Sequence, residues 1–187
     1  MTLRILGGQY KGRILHSPKT DATRPTQGIL RQAVFNICQS ALSGARFLDL
    51  FAGSGAMGLE ALSRGAANAV FVEQDRSASR CIRENIALLK VEGQATLISQ
   101  ELFSALKLLG KKKGLFDLVY IDPPYGDSAF LIKVLCALEK EQILAPGSLV
   151  FLETASKEKE LTYESLCLEL QRVRCHGIAR LYQFESK

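Results

Sequence analysis

The chain has 187 residues, 47% of them hydrophobic, which suits one domain with a sizeable core and a small appendage. No apolar run is long enough to cross a membrane and no signal-peptide core precedes Gly7-Gly8, while five scattered cysteines without a Cys-x-x-Cys pair speak against disulfides or a metal site; a soluble, cytoplasmic, metal-free protein is expected, its thiols buried or half-buried. The formal charge of +5 lies wholly in residues 1–45, where six basic groups meet only Asp21, and such a segment suits a polyanionic partner.

Residues 1–24 alternate apolar and basic positions around Gly7, Gly8 and Gly12, which predicts a two-stranded ribbon pairing Leu3 to Leu6 with Arg13 to His16. It is expected to be an appendage carrying Arg4, Lys11 and Arg13 toward nucleic acid, with Arg24 at its end. Residues 25–187 then form the main domain. After Arg24-Pro25-Thr26, apolar residues at helical spacing (Ile29, Leu30, Ala33, Val34, Ile37, Cys38) predict a helix with Thr26 as its N-cap and Gly44 as its end.

From Arg46 onward, strands alternate with amphipathic helices, the pattern of a parallel sheet. Strands are predicted at 46–51, 68–73, 95–98, 116–121 and 148–153, with helices at 56–64, 77–91, 101–109 and 128–140 between them. Two extended stretches, 168–174 and 179–185, form a terminal hairpin, so one antiparallel strand should join the sheet. The run Lys111-Lys112-Lys113 reads as a solvated loop at the edge opposite the strand C-termini.

Three features fall at the C-terminal ends of strands, where open α/β sheets bind ligands. The first is the turn Phe51-Ala52-Gly53-Ser54-Gly55-Ala56-Met57-Gly58, preceded by Asp49 and opening a helix, a place for a nucleotide-like ligand to approach backbone N–H groups. Its spacing Gly53-x-Gly55-x-x-Gly58 also satisfies the dinucleotide fingerprint, so it leaves a nicotinamide-dependent oxidoreductase open. The second is Glu73, about twenty residues on and followed by Gln74, placed to accept hydrogen bonds from ribose hydroxyls and to repel a 2′-phosphate.

The third, Asp122-Pro123-Pro124-Tyr125, chooses between cofactors. An exocyclic amino nitrogen of a nucleobase is a poor nucleophile because its lone pair is delocalised into the ring. A carboxylate such as Asp122 and a carbonyl stiffened by Pro123 accept both amino hydrogens and favour a pyramidal, nucleophilic nitrogen, while Tyr125 stacks on the base. Hydride transfer has no use for this tetrapeptide. Methylation of a pyrimidine ring carbon would require a cysteine nucleophile, and no cysteine lies in these motifs.

Together with Gly7-Gly8-Gln9-Tyr10-Lys11-Gly12-Arg13 and Arg24-Pro25-Thr26, these motifs resemble the RsmD family, bacterial enzymes that methylate N2 of a guanine in 16S ribosomal RNA. The resemblance covers essentially the whole chain. It implies a Rossmann-like class I methyltransferase fold with S-adenosyl-L-methionine as cofactor and the small ribosomal subunit as partner; a monomer is expected. It also implies that Asp49, Gly53, Ser54, Gly55, Glu73, Gln74 and Asp122 line the cofactor pocket, that Arg24 and Thr26 close it, and that Asp122, Pro123 and Tyr125 hold the guanine. After the third strand, Glu101 and Leu102 stand where the family pattern has Asn or Asp to meet the adenine. Within the same chemistry the alternative is adenine N6 or another amino group; outside it stands a ribosome-binding protein without catalysis.

Overall fold

The computed structural model describes residues 2–18, 25–124, 128–157, 161, 163 and 167–187, with 25–27 described in backbone alone. Seven strands build one sheet: β1 (Arg46–Leu50), β2 (Asn68–Val72), β3 (Ala95–Ile98), β4 (Phe116–Ile121), β5 (Leu144–Ala155), β6 (Leu168–His176) and β7 (Ala179–Ser186). Their order is β3-β2-β1-β4-β5-β7-β6. Strands β1 to β5 are mutually parallel, and β7 runs antiparallel between β5 and β6. This is the mostly parallel, Rossmann-like sheet with an antiparallel C-terminal strand that the sequence predicts.

Side-chain alternation along the strands divides the core in two. Phe47, Phe71, Leu118, Tyr120 and Phe151 face α1 (Pro25–Ile37), α2 (Ala56–Ser63) and α3 (Arg76–Leu89). Leu48, Leu50, Val70, Val119, Ile121 and Val150 face α4 (Leu102–Lys111) and α5 (Ser128–Lys140). Burial on both faces explains why these strands read as near-continuous apolar runs. The chain steps outward from β1 through β2 to β3 and then returns to β4 on the other side of β1. The crevice between the C-terminal ends of β1 and β4 is therefore the switch point of the sheet, where open α/β folds take their ligands.

Several predicted boundaries move. Helix α1 starts at Pro25, which places Thr26 inside the first turn and not at the N-cap; proline at the first helical position loses no hydrogen bond, because that N–H has no intrahelical partner. The helix ends at Ile37 and a single 3₁₀ turn, Gln39–Ala41, fills the approach to Gly44. Of the cysteines, Cys38 and Cys81 are buried, whereas Cys136, Cys167 and Cys175 are exposed, contrary to the expected burial. Lys111, Lys112 and Lys113 are exposed ahead of β4, on the side of the sheet away from the switch point.

The N-terminal ribbon pairs through one bridge, Arg4 with Ile14, flanked by backbone bonds from Ile5 N–H to the Arg13 carbonyl (3.0 Å) and from Leu15 N–H to the Leu3 carbonyl (2.9 Å). It lies against the helices: Ile5 and Leu15 are buried in the α1–α3 core. Gly7 and Gly8 allow this close approach. A Cβ on Gly8, whose φ is +77°, would come within 1.8 Å of the Ser63 carbonyl oxygen, and one on Gly7 within 2.5 Å of the Arg64 guanidinium. Among the described residues no helix is long and apolar enough to cross a membrane.

Candidate active site

At the head of the switch point, β1 ends at Leu50 and the chain turns through Phe51 to Gly58 into α2. The turn needs left-handed backbone at three positions: Phe51 (φ 61°), Gly53 (φ 53°) and Gly55 (φ 77°). Phe51 adopts this conformation without the freedom of glycine, a local strain of the kind that collects at ligand sites. Gly55 is the N-cap of α2 and has no side chain with which to cap it. Asp49 does so from β1: its Oδ2 accepts the Gly58 N–H at 2.9 Å, satisfying an N–H of the helix's first turn. Gly58 has its own reason to lack a side chain, since a Cβ there would stand 2.3 Å from the Phe71 ring.

Asp49 is 2% exposed, and desolvation raises its pKa to about 8. The Gly58 N–H opposes that rise and the nearby Glu73 adds to it. Across the crevice the Asp122 N–H reaches the Leu50 carbonyl at 3.5 Å, so the start of Asp122-Pro123-Pro124 stands beside the end of β1. Asp122 and Pro123 are half-buried and Pro124 is exposed.

Glu73 follows β2 on the same rim. Its two oxygens accept backbone N–H groups, Oε2 from Gly53 (2.9 Å) and Oε1 from Asp75 (2.8 Å). The carboxylate is thus fixed against the glycine turn, and the second lone pair of each oxygen remains for a ligand hydroxyl. The N–H of Gly55 is also taken, by the Ala52 carbonyl at 2.6 Å. In this turn the N–H groups of Gly53 and Gly55 therefore hold the turn together, and the buried Gly55 is also packed close, a Cβ there standing 3.3 Å from Ile82 and from the Phe71 ring. Ser54 is half-buried and Gln74 exposed on the rim.

After β3, Glu101 caps α4, its carboxylate accepting from Phe103 N–H (3.1 Å) and Ser104 N–H (3.0 Å), and Leu102 is buried under that helix. The departure from the family pattern at Glu101 thus coincides with a helix-capping role. Arg24 and Tyr125 lie outside the described residues, as does the side chain of Thr26. Lys11 and Arg13 are exposed on the ribbon, and Arg4 is exposed while its carbonyl accepts from Arg31 Nη2 at 2.7 Å.

Beneath the rim lies a polar cluster that the sequence reading missed. Tyr120 on β4 donates its hydroxyl to Glu153 on β5, and burial, with Asp122, Glu153 and Asp49 nearby, raises the tyrosine pKa well above its ordinary value. Burial also raises the pKa of Glu153, against the opposing effect of that hydrogen bond. Glu60 on α2 is 0% exposed and accepts from Arg64 Nε and from the Leu6 N–H, each at 2.7 Å, with Arg31 Nε 3.8 Å away. Asn85 on α3, also 0% exposed, bonds the ribbon at His16 and the glycine turn at Ser54. A carboxylate inside the apolar run Met57-Gly58-Leu59-Glu60-Ala61-Leu62 was the available sequence signal for Glu60; Asn85 had none, because an isolated helix asparagine usually faces solvent.

The rim suits a nucleoside-bearing ligand: a tight turn with two left-handed glycines, a fixed carboxylate at ribose distance in sequence, and an acid and proline pair across the crevice.

Comparison with known proteins agrees. The family model described as conserved hypothetical protein 95 matches residues 3–185. Ribosomal RNA small subunit methyltransferase D of Escherichia coli strain K12 is 36% identical over 186 residues, covering 99% of this chain and 91% of that protein. A solved structure described as the putative methyltransferase yhhF from Escherichia coli superposes with a TM-score of 0.87 at 32% identity, covering 100% of this chain and 99% of the other. A more distant structure, the 16S rRNA N2 G1207 methyltransferase of T. thermophilus in complex with AdoMet and guanosine, has a TM-score of 0.72 at 19% identity. It covers 100% of this chain and 50% of the other and speaks for the fold.

Proposed function

The chain belongs to the RsmD family of ribosomal RNA methyltransferases, and on that footing we propose how its own residues divide the work. It is an S-adenosylmethionine-dependent methyltransferase of small-subunit ribosomal RNA, acting on the N2 amino group of a guanine. The observation that carries the assignment of roles is the meeting of β1 and β4 at the switch point, where the glycine turn and Asp122-Pro123 face one crevice.

On this reading the cofactor lies along the turn from Asp49 to Gly58. Glu73, held by Gly53 and Asp75, accepts from the ribose hydroxyls; Gln74, Ser54 and Leu102 line the walls, with Glu101 at the adenine end. Bound there, the cofactor supplies a methyl group already activated on a sulfonium, so no metal or covalent nucleophile is required. Asp122 accepts one amino hydrogen of the guanine and the backbone beside Pro123 the other, which orients the nitrogen lone pair along the line of transfer and keeps water from that line. Proton loss then goes to Asp122 or to solvent. Tyr125 stacks on the base, and Arg24 and Thr26 close the methionine end. The ribbon's Lys11 and Arg13, with Arg4, meet RNA phosphates. One chain carries every part of this site, so a monomer in the cytoplasm suffices, with residues 1–24 as the RNA arm and 25–187 as the methyltransferase domain.

Asp122→Ala tests the reading against a ribosome-binding protein without catalysis. Methyl transfer to small subunits should fall by about 10²- to 10³-fold, as on removal of one preorganised polar group, with S-adenosylhomocysteine affinity kept within about threefold. Unchanged transfer would remove Asp122 from the chemistry.

A further inference from the structure

The N-terminal ribbon and the glycine turn are joined by one side chain. Asn85 sits in the middle of α3, fully buried, and its amide behaves toward the ribbon as a strand neighbour would. Its Oδ1 accepts the His16 N–H at 2.7 Å while its Nδ2 donates to the His16 carbonyl at 3.0 Å. The second hydrogen of the same Nδ2 goes to the Ser54 carbonyl, also at 3.0 Å. Ser54 lies between the two left-handed glycines of the turn, and the preceding N–H, that of Gly53, fixes Glu73. One buried amide thus turns its donors and its acceptor to two segments that are 38 residues apart in sequence, with Cys81 Sγ of its own helix a weaker neighbour of Nδ2 at 3.7 Å.

The rest of the ribbon is anchored to α2, the helix that the same turn begins. Ser63 Oγ donates to the Gly7 carbonyl (2.6 Å) and accepts the Tyr10 N–H (3.0 Å), the Ser63 carbonyl accepts the Gln9 N–H (2.8 Å), and Glu60 accepts the Leu6 N–H (2.7 Å). The Asn85 bonds differ from these because they reach the turn itself. Any displacement of Ser54 changes the two bonds at His16, and any displacement of the ribbon end is felt at Ser54. Apolar packing alone would let the two segments slide, whereas directional bonds from a fully buried amide fix their separation.

We propose that Asn85 is a positioning residue that couples the ribbon to the cofactor turn, so that filling the cofactor site sets the ribbon for RNA and RNA on the ribbon tightens the cofactor. By linkage the two effects are equal in size. This rests on the cofactor lying at the glycine turn, as proposed above. It assigns the link to a residue that touches neither ligand.

Hydrogen–deuterium exchange on the wild-type protein with and without S-adenosylhomocysteine tests both levels separately. The expected result is slower exchange at the turn amides of residues 52–58 and, with it, at least threefold slower exchange over residues 3–16 of the ribbon. Protection of the turn with an unchanged ribbon would overturn the coupling and keep the cofactor placement; protection of neither would overturn the placement itself. Asn85→Asp then isolates the side chain, because the carboxylate can still accept from His16 N–H but faces two carbonyls it cannot donate to. With S-adenosylmethionine varied, KM should rise at least about tenfold as the two buried donations are lost, with kcat at saturation kept within about threefold. As pH falls and the substituted carboxyl gains a proton, donation to one carbonyl returns and KM should recover. A variant that melts at the wild-type temperature with an unchanged, pH-independent KM would refute the role of Asn85. Should the variant fail to fold, the exchange comparison on the wild type decides alone.

Discussion

Asp49 shows how one residue serves fold and site together. Leaving it in the β1 core costs solvation, and its bond to the Gly58 N–H returns part of that by capping a helix whose N-cap is glycine. The sign of the resulting pH dependence follows from the direction of the shift. With a folded pKa of about 8 against an ordinary 3.8, the folded state keeps a proton that the unfolded chain releases. The contribution of Asp49 to stability is thus complete below the unfolded value and declines as pH rises toward about 8. Chemical denaturation across pH 4 to 9 should show wild type losing stability relative to Asp49→Asn up to about pH 8, with a parallel course above it. Parallel curves over the whole range would mean that Asp49 is ionised in the free protein. The sequence marked Asp49 from its place before the turn, but the capping bond depends on how β1 and α2 stack and has no signature in a linear motif.

At the scale of elements, periodicity placed the strands and helices well because most of them are buried on fixed faces, and it erred where burial stops deciding. Helix α1 ends at Ile37 because the apolar spacing that suggested a longer helix passes into a 3₁₀ turn, where Cys38 stays buried without helical geometry. The ribbon was legible as a pair of extended segments, while its fastening to Glu60, Ser63 and Asn85 was not, since those contacts span more than 50 residues and reveal themselves only after folding. The glycines of the turn were legible as a motif, yet their reasons differ: Gly55 for its backbone, Gly58 for the Phe71 ring. Gly58→Ala should lower stability by about 1 to 3 kcal/mol through overpacking against Phe71 and weaken S-adenosylhomocysteine binding through displacement of the turn. Thermal melts and calorimetric titration would read both, and an unperturbed variant would contradict the close approach. Replacing Lys11 and Arg13 together by Gln should weaken RNA binding and reduce the slope of log affinity against log salt by about one to two, as phosphate contacts are lost. An unchanged slope would remove the ribbon from the RNA interface.

For the whole molecule, topology does what no single motif could. The spacing Gly53-x-Gly55-x-x-Gly58 with Glu73 fits a nicotinamide enzyme as well as a methyltransferase, and both share the order β3-β2-β1-β4; what separates them is the acid and proline pair, Asp122-Pro123, that this order sets next to Leu50 across the switch point. Family membership fixes the reaction, and the basic ribbon is held against α2 and α3. Residues 46–187 carry 18 basic and 18 acidic groups, so the excess lies N-terminal and RNA should approach from the ribbon side. With Asp122 in its proposed role, a guanine within a helix would have to leave its stack to reach it, which favours an unpaired or extruded base. The most direct measurement is to incubate the purified protein and radiolabelled S-adenosylmethionine with small ribosomal subunits from cells that lack it, then digest the RNA and identify the labelled nucleoside. Label in N2-methylguanosine is expected; label confined to N6-methyladenosine or another nucleoside, or none at all, would rule out guanine N2 as the target.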